Sequence, residues 1–322
     1  MTPSPRILLL LLASFAALLF LPLFGAETVY LNDLRDPQSL SYRILFELRA
    51  PRLILLFLVG GSLAMLGGTY QVLFHNPLAE PYVLGVSSAV TLGAVLSELV
   101  FHVNPHSLAG MVFPISGALL ATGLLLFISF SKFGREPERV VLFGMGLNFL
   151  LSSMLFLLLS YYSQQMGGAG AMRWLFGQIP WMTLTEVRTV FLIVIPFVGG
   201  VLLLSRQLDA LALGDTVART LGISPVTSRN AILVTTSLFI AVLVSITGSI
   251  GFLGLVVPHA CRLMFRPAST RLLLAFSFLL GAVFLAIADV SSRTLLPPFE
   301  FPIGILTTLI GAPPFLYLLW KR

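Results

Sequence analysis

An all-α polytopic membrane protein is the fold class this sequence predicts, on three observations. Hydrophobic residues make up 57% of the 322 residues and charged residues only 10%, against about 25% charged in soluble domains. The apolar residues gather into ten segments, most near the ~20 residues that cross a hydrocarbon core about 30 Å thick. The stretches between them carry most of the charge, and no soluble domain interrupts the run. Residues 1–322 are therefore expected to form a single transmembrane domain of ten helices.

The first segment runs from Ile7 to Phe24. It is longer than the roughly 7–15 apolar residues of a signal-peptide core, so it is read as a retained span. Residues 25–48 follow with Glu27, Asp33, Arg35, Asp36 and Glu47, and are expected outside. Nine more spans are placed at 52–74, 83–103, 107–131, 139–161, 187–206, 226–247, 253–265, 273–293 and 302–320. The segment 253–265 is short and holds Pro258. It is expected to be a broken helix whose backbone is satisfied by protein neighbours.

Orientation follows from the basic residues. With the N-terminus inside, Arg6, Lys132, Arg135, Arg139, Arg206, Arg219, Arg229, Arg262, Arg266, Arg271, Lys321 and Arg322 fall on the inner side. The outer side takes Arg35, Arg43, Arg49, Arg52, Arg173, Arg188 and Arg293. Positive charge gathers on cytoplasmic loops, so both termini are expected in the cytoplasm. The same bias accounts for the net charge of +6 without nucleic acid as a partner.

Several chemistries lack their residues. A P-loop needs GxxxxGK[ST], and neither Lys132 nor Lys321 lies in one; if ATP drives this protein, a separate subunit hydrolyses it. Ion-coupled carriers place titrating groups inside spans, whereas here Glu98 and Asp289 stand toward the outer span ends. No HExxH or paired aspartates suggest an intramembrane protease. His75 has no second histidine at ligand spacing, so no metal site is expected. Cys261 is the one cysteine, which rules out an intrachain disulfide.

Five features carry positive signals. Between spans, residues 207–224 are too short and too charged to cross a bilayer. Yet Leu208, Leu211, Ala212, Val217, Ala218 and Leu221 recur at roughly helical spacing. Gly214 divides them into two short amphipathic pieces, which suit either a lipid surface or a cleft on a partner. On the outer side, Arg49 and Arg52 bracket Pro51, and Arg293 ends the ninth span. Such arginines either snorkel to headgroups or pair with carboxylates. In HNPLAEP, Pro77 and Pro81 force an irregular turn at the inner mouth. In residues 167–181, Trp174 and Trp181 suit an interfacial belt. Glycines at 60, 61, 67, 68, 248, 251 and 254 suit close helix packing, and GSIGFLG suits a hinge.

Five collinear stretches carry a resemblance covering nearly the whole chain: RAPRL from Arg49, HNPLAEPYVLGVSS from His75, LALGDTVARTLGIS from Leu211, GFLGLVVPHACRL from Gly251 and FPIGILTTLIGAPPFLYLL from Phe301. Together they resemble the FecCD-type permease subunits of binding-protein-dependent ABC importers for iron-siderophores, haem or cobalamin. The resemblance implies the type II importer architecture in the bacterial cytoplasmic membrane. It also implies a dimer with two ATPase subunits below and one substrate-binding protein above, and no cofactor in this chain. It makes the 207–224 stretch a coupling loop. Leu211, Leu213 and Gly214 would enter the ATPase cleft, with Asp215 and Arg219 at its edge and Leu208, Val217, Leu221 and Gly222 completing the segment. Arg49, Arg52 and Arg293 would receive acidic residues of the binding protein. Asn76 and Leu78 would form the inner gate. Tyr161, Tyr162, Gln164, Gln165 and Met166 would line the pathway. The chelate carried, and whether the second permease is an identical copy, stay open. The rivals are an ion- or proton-driven carrier, which needs Glu98 or Asp289 to titrate, and a membrane scaffold.

Overall fold

The computed structural model describes residues 5–25, 27–103, 109–130, 137–295 and 300–320. Its helices are α1 (Pro5–Phe20), α2 (Leu40–Tyr42), α3 (Ala50–Leu73), α4 (Val86–Leu99), α5 (Val112–Phe130), α6 (Pro137–Phe176), α7 (Leu184–Leu203), α8 (Ser205–Ala212), α9 (Asp215–Thr220), α10 (Pro225–Thr247), α11 (Leu253–Phe265), α12 (Thr270–Thr294) and α13 (Ile303–Trp320). Among the described residues there is no strand. Six helices are long and apolar enough to cross a membrane. Four shorter apolar helices, Ser14–Leu23, Val86–Leu99, Leu253–Phe265 and Ile303–Pro313, occupy the other four predicted spans.

The centre of the bundle is α3, packed between α11 and α12. Its glycines permit this. A Cβ on Gly60 would stand 2.6 Å from the carbonyl oxygen of Gly281 on α12, and one on Gly67 would run into the Gly254 backbone of α11. Apolar area contributes little between helices in lipid, so close backbone approach and interhelical hydrogen bonds hold them. Thr91 and Ser249 hydroxyls meet at 2.8 Å, and Thr122 donates to Ser237 between α5 and α10. The outer helices α5, α6 and α7 instead expose leucines and phenylalanines, Leu120, Phe127, Phe149, Leu157 and Leu192 among them. That surface suits hydrocarbon.

Two helices differ from their predicted spans. The second begins at Leu40, well inside the stretch expected to be polar and outside, and continues to Leu73 as a run of 34 residues. Ser39 starts it by accepting the Tyr42 N–H at 3.1 Å, and π-helical turns at Arg43–Arg49 lead into α3. The other is α6, with 40 residues. At 1.5 Å per residue it is about 60 Å long, and it runs well beyond the predicted span 139–161 into the glycine-rich segment. Trp174 there is buried and donates its indole N–H to Glu98 at 3.0 Å. Only Trp181 is exposed, so the interfacial belt expected of both tryptophans is corrected for Trp174.

α11 is continuous through Pro258 and is not the broken helix expected, but the proline removes one bond of its ladder. Proline has no N–H, so the carbonyl four residues earlier loses its helical partner. That carbonyl belongs to Gly254. The Gln71 amide on α3 donates to it at 3.1 Å, and also to the Leu255 carbonyl at 3.1 Å. Arg262 in turn donates to the Gln71 side-chain oxygen.

Candidate functional site

At the face expected inside, the predicted coupling loop is two short helices, α8 and α9, joined through Leu213 and Gly214. Gly214 has φ 99 and ψ 157, a region only glycine occupies readily. No atom lies within 4 Å of a Cβ built there, so the glycine is required by conformation and not by space. The helical pattern then sorts into two sets. Leu208 and Leu211, each 0% exposed, and the buried Ala218 face the chain's own core. Leu213, 66% exposed, with Val217 and Leu221, faces outward. The expectation that Leu211 enters a partner's cleft is corrected here. With Leu208 it anchors the segment, because α8 lies against α3 and α12. Asp215 begins α9, where a negative charge suits the helix dipole, and pairs with Arg229 at 3.1 Å. Arg219 is exposed, and Gly222 closes the segment at φ 75.

Two polar ties fasten this segment to the bundle. The Asp209 carboxylate accepts the Thr270 N–H at 2.9 Å, at the first turn of α12. His75, just past α3, donates from Nε2 to the Ala212 carbonyl at 3.3 Å. The sequence marked His75 but neither of these bonds, which join segments 61 and 137 residues apart.

His75 opens the inner-mouth loop. Asn76 accepts the Leu78 N–H at 2.9 Å, a local turn of the kind Asn favours before proline. Asn76 and Leu78 then line a cavity of about 570 Å³ with Glu80, Tyr82, Met145 and Phe252. Their expected companions in the pathway are elsewhere. Tyr161 stands 16 residues beyond Met145, about 24 Å along α6, and is 80% exposed against the edge of Tyr162. The side chains of Gln164, Gln165 and Met166 lie outside the described residues. The sequence reading assigned no role to Glu80, which is only 4% exposed. Its carboxylate lies beside the start of α11, where a Cβ built on Gly254 would stand 3.1 Å from Oε2. In this loop between spans, burial pushes its carboxyl up to about 7, against the opposing pull of the nearby Phe252 and Leu255 backbone.

At the face expected outside, two of the predicted docking arginines, Arg49 and Arg52, are buried, and the third, Arg293, is half-buried at the rim. Arg52 is 3% exposed and Asp289 1%. Arg52 donates to Asp289 Oδ1 from Nε at 3.1 Å and from a terminal nitrogen at 2.8 Å, and reaches Glu300 at 3.3 Å. Its guanidinium lies 4.0 Å from the centre of the Trp181 ring. Arg293 takes the other oxygen of Asp289 at 2.9–3.0 Å. Arg49 donates to the carbonyls of Pro22, Leu23 and Glu27, stapling the chain that leaves α1. Snorkelling to lipid is thus excluded for Arg49 and Arg52 in this state, and neither presents a free guanidinium outward. Arg49, Arg293, Trp181, Glu27 and Glu300 line an outer cavity of about 180 Å³.

The model of the FecCD transport family matches residues 7–321. The chain belongs to the FecCD transport family. Among similar proteins, the vitamin B12 import system permease protein BtuC of Vibrio cholerae is 36% identical over 313 residues, covering 97% of this chain and 93% of the relative. An iron chelatin transport system permease of Helicobacter pylori is 35% identical, covering 93% of each. A solved structure described as an inward-facing metal-chelate type ABC transporter matches with a TM-score of 0.85 at 29% identity, over 99% of this chain and 100% of that one. PsaBC from Streptococcus pneumoniae, at 18% identity and TM-score 0.52, shares the fold alone. This FecCD protein is accordingly a multi-pass permease subunit of an ABC importer and not an enzyme. The assignment implies ATPase and binding-protein partners.

Proposed function

We propose that the permease works as a homodimer in the bacterial cytoplasmic membrane, with both termini inside, two ATPase subunits below and one binding protein above. Its cargo is a metal chelate of the iron-siderophore, haem or cobalamin type. The names of the relatives support that class. The coupling assignment rests on one observation above all. Leu213, Val217 and Leu221 are exposed on a segment whose other face is locked to α3 and α12. A rigid apolar ridge in the aqueous phase fits a hydrophobic cleft better than water. Movement of the ATPase pair would pull on it, and Asp209 and His75 would carry that pull into α12 and the inner-mouth loop.

Binding-protein docking falls to the rim of the outer cluster. Arg293 is the contact arginine, while Arg49 and Arg52 act by holding the rim in place. Replacing Arg293 by Glu should weaken docking and leave ATPase retention intact. Unchanged docking would remove Arg293 from that role.

The first experiment is mild-detergent purification of the tagged chain from its own cells, with mass spectrometry of what accompanies it. Recovery of an ATPase subunit, lost in the double variant Leu213→Asp, Val217→Asp, supports the reading. A chain that emerges alone even after crosslinking counts against it. A reporter fused after Arg322 should read as cytoplasmic.

A further inference from the structure

We propose that the cavity between α8, α11 and α12 binds a phosphate-bearing anion through Arg262 and Arg266. The inference goes beyond the importer assignment, which gives these two residues no role. The cavity, of about 410 Å³, lies at the face expected inside. Val72 near the end of α3, Ala212 at the end of α8, and Ser269 and Leu273 at the start of α12 form its other walls. Its volume falls within the roughly 300–1,000 Å³ of small-molecule sites.

Two guanidinium groups line this cavity, and neither has an ion pair among the described residues. Asp209, the acid bonded at its rim, is engaged with the Thr270 N–H at 2.9 Å. Arg262 is half-buried and held in place. It donates to the side-chain oxygen of the buried Gln71, whose amide is fixed in turn on the Gly254 and Leu255 carbonyls. That bond uses one of the five donors of a guanidinium. Arg262 and Arg266 are like charges four residues apart, an arrangement that repels until an anion stands between them. Arginine suits phosphate in particular, because its planar fork meets two oxygens at once.

The backbone gives a second, independent sign. α11 ends at Phe265, and Arg266 follows in the left-handed conformation at φ 45 and ψ 60, with its N–H on the Arg262 carbonyl at 3.2 Å. Glycine is the usual residue at such a helix end, because a Cβ is disfavoured there. An arginine kept where glycine fits better points to a use for its side chain. Between the two arginines, Leu263 and Met264 are exposed, as is Leu272 on α12. A basic pocket at a helix end with an apolar flank fits an anionic headgroup whose acyl chains lie along that flank. Lipid is therefore favoured over free phosphate as the source. Because Ala212 ends α8, a headgroup seated here would tie the coupling segment to the turn between α11 and α12.

The test is calorimetric binding to the full chain, purified in mild detergent with the subunits that accompany it. The probes are dioctanoyl phosphatidylglycerol, zwitterionic dioctanoyl phosphatidylcholine and inorganic phosphate. The native chain should bind phosphatidylglycerol about tenfold more tightly than phosphatidylcholine. Arg266→Gly should weaken phosphatidylglycerol about tenfold, the order lost with one charge-assisted hydrogen bond. Because glycine relieves the backbone at this position, the variant should melt without lipid at or above the native temperature. Inorganic phosphate that binds as tightly as the lipid, with the same loss in Arg266→Gly, upholds the site and assigns it to free phosphate. No saturable binding, or equal binding by the native and Arg266→Gly chains, overturns the proposal. A variant that keeps its lipid affinity but loses ATPase retention also overturns it, and gives Arg266 to the partner subunit. If Arg266→Gly does not accumulate, Arg266→Asn decides, since asparagine also tolerates the left-handed conformation. Native affinity in that variant overturns the proposal.

Discussion

The two ends of the molecule reverse the usual distribution of side chains. At the outer face Arg49, Arg52 and Asp289 are buried, while at the inner face Leu213, Val217 and Leu221 stand exposed. Both follow from where partners are available. The outer charges find each other within the chain, Arg52 and Arg293 sharing Asp289 across the α3–α12 contact. The exposed apolar side chains flank Gly214, whose conformation joins α8 to α9, and each stands at least 39% exposed among the described residues. A charge inside is a statement about this chain's own stability. A leucine outside is a statement about something this chain meets.

The largest effect should come from Asp289. Replacing it by Ala strands two arginines that are nearly out of water, and breaking a buried pair costs about 3–5 kcal/mol. The permease should lose thermal stability in detergent and accumulate poorly; an unmoved melting temperature would mean the cluster is solvated. This also alters the carrier test, because an amide at position 289 would impair transport through folding alone. Next is the contrast between Leu211→Asp and Leu213→Asp. The first buries an unpaired carboxylate and should unfold the segment. The second should stay within about 0.5 kcal/mol of native, as surface substitutions do, yet lose ATPase retention about tenfold. Similar stability for both would erase the division between anchor and ridge.

A smaller effect is expected from Gly214→Ala. Its φ and ψ are strained for any Cβ, at about 1–3 kcal/mol, so α9 should shift and ATPase retention fall with the bundle intact. Normal retention would show that the join tolerates another path. The smallest should be Arg229→Ala. It removes a partly exposed pair with Asp215, worth about 0–1 kcal/mol, and a melting curve should barely move. A loss of several degrees would place that pair among the structural ions.

Reading the sequence recovered the inner segment better than the outer cluster, for a physical reason. The inner pattern is local. Helical spacing and one glycine within about fifteen residues specify two short amphipathic helices, and any short helix must face one side inward. Which side that would be was not local, so Leu211 was assigned to the partner and proved to face α3 and α12. The outer pattern was visible as arginines on the less basic side, but their counter-ion Asp289 lies 237 residues from Arg52. Glu80 was passed over for the same reason. Nothing near it in sequence marks it, and the turn at Phe252 with which it lines a cavity lies 172 positions later.

By itself, then, the sequence determined a helical bundle in a membrane, its ten apolar segments, the pair of short helices between two of them and the need for a second partner at Pro258. Those are consequences of hydropathy, period and missing donors, all properties of neighbouring residues. Only the tertiary structure decided that α3 is the central helix, that α6 runs through the glycines after Tyr162, that Gln71 serves the Gly254 carbonyl, and that the arginines are paired and the leucines exposed. In lipid, helices associate through close backbone contact and polar pairs and not through apolar area. The register of glycines and the meeting of opposite charges then settle which helices touch, and both join residues that the chain separates by more than a hundred positions.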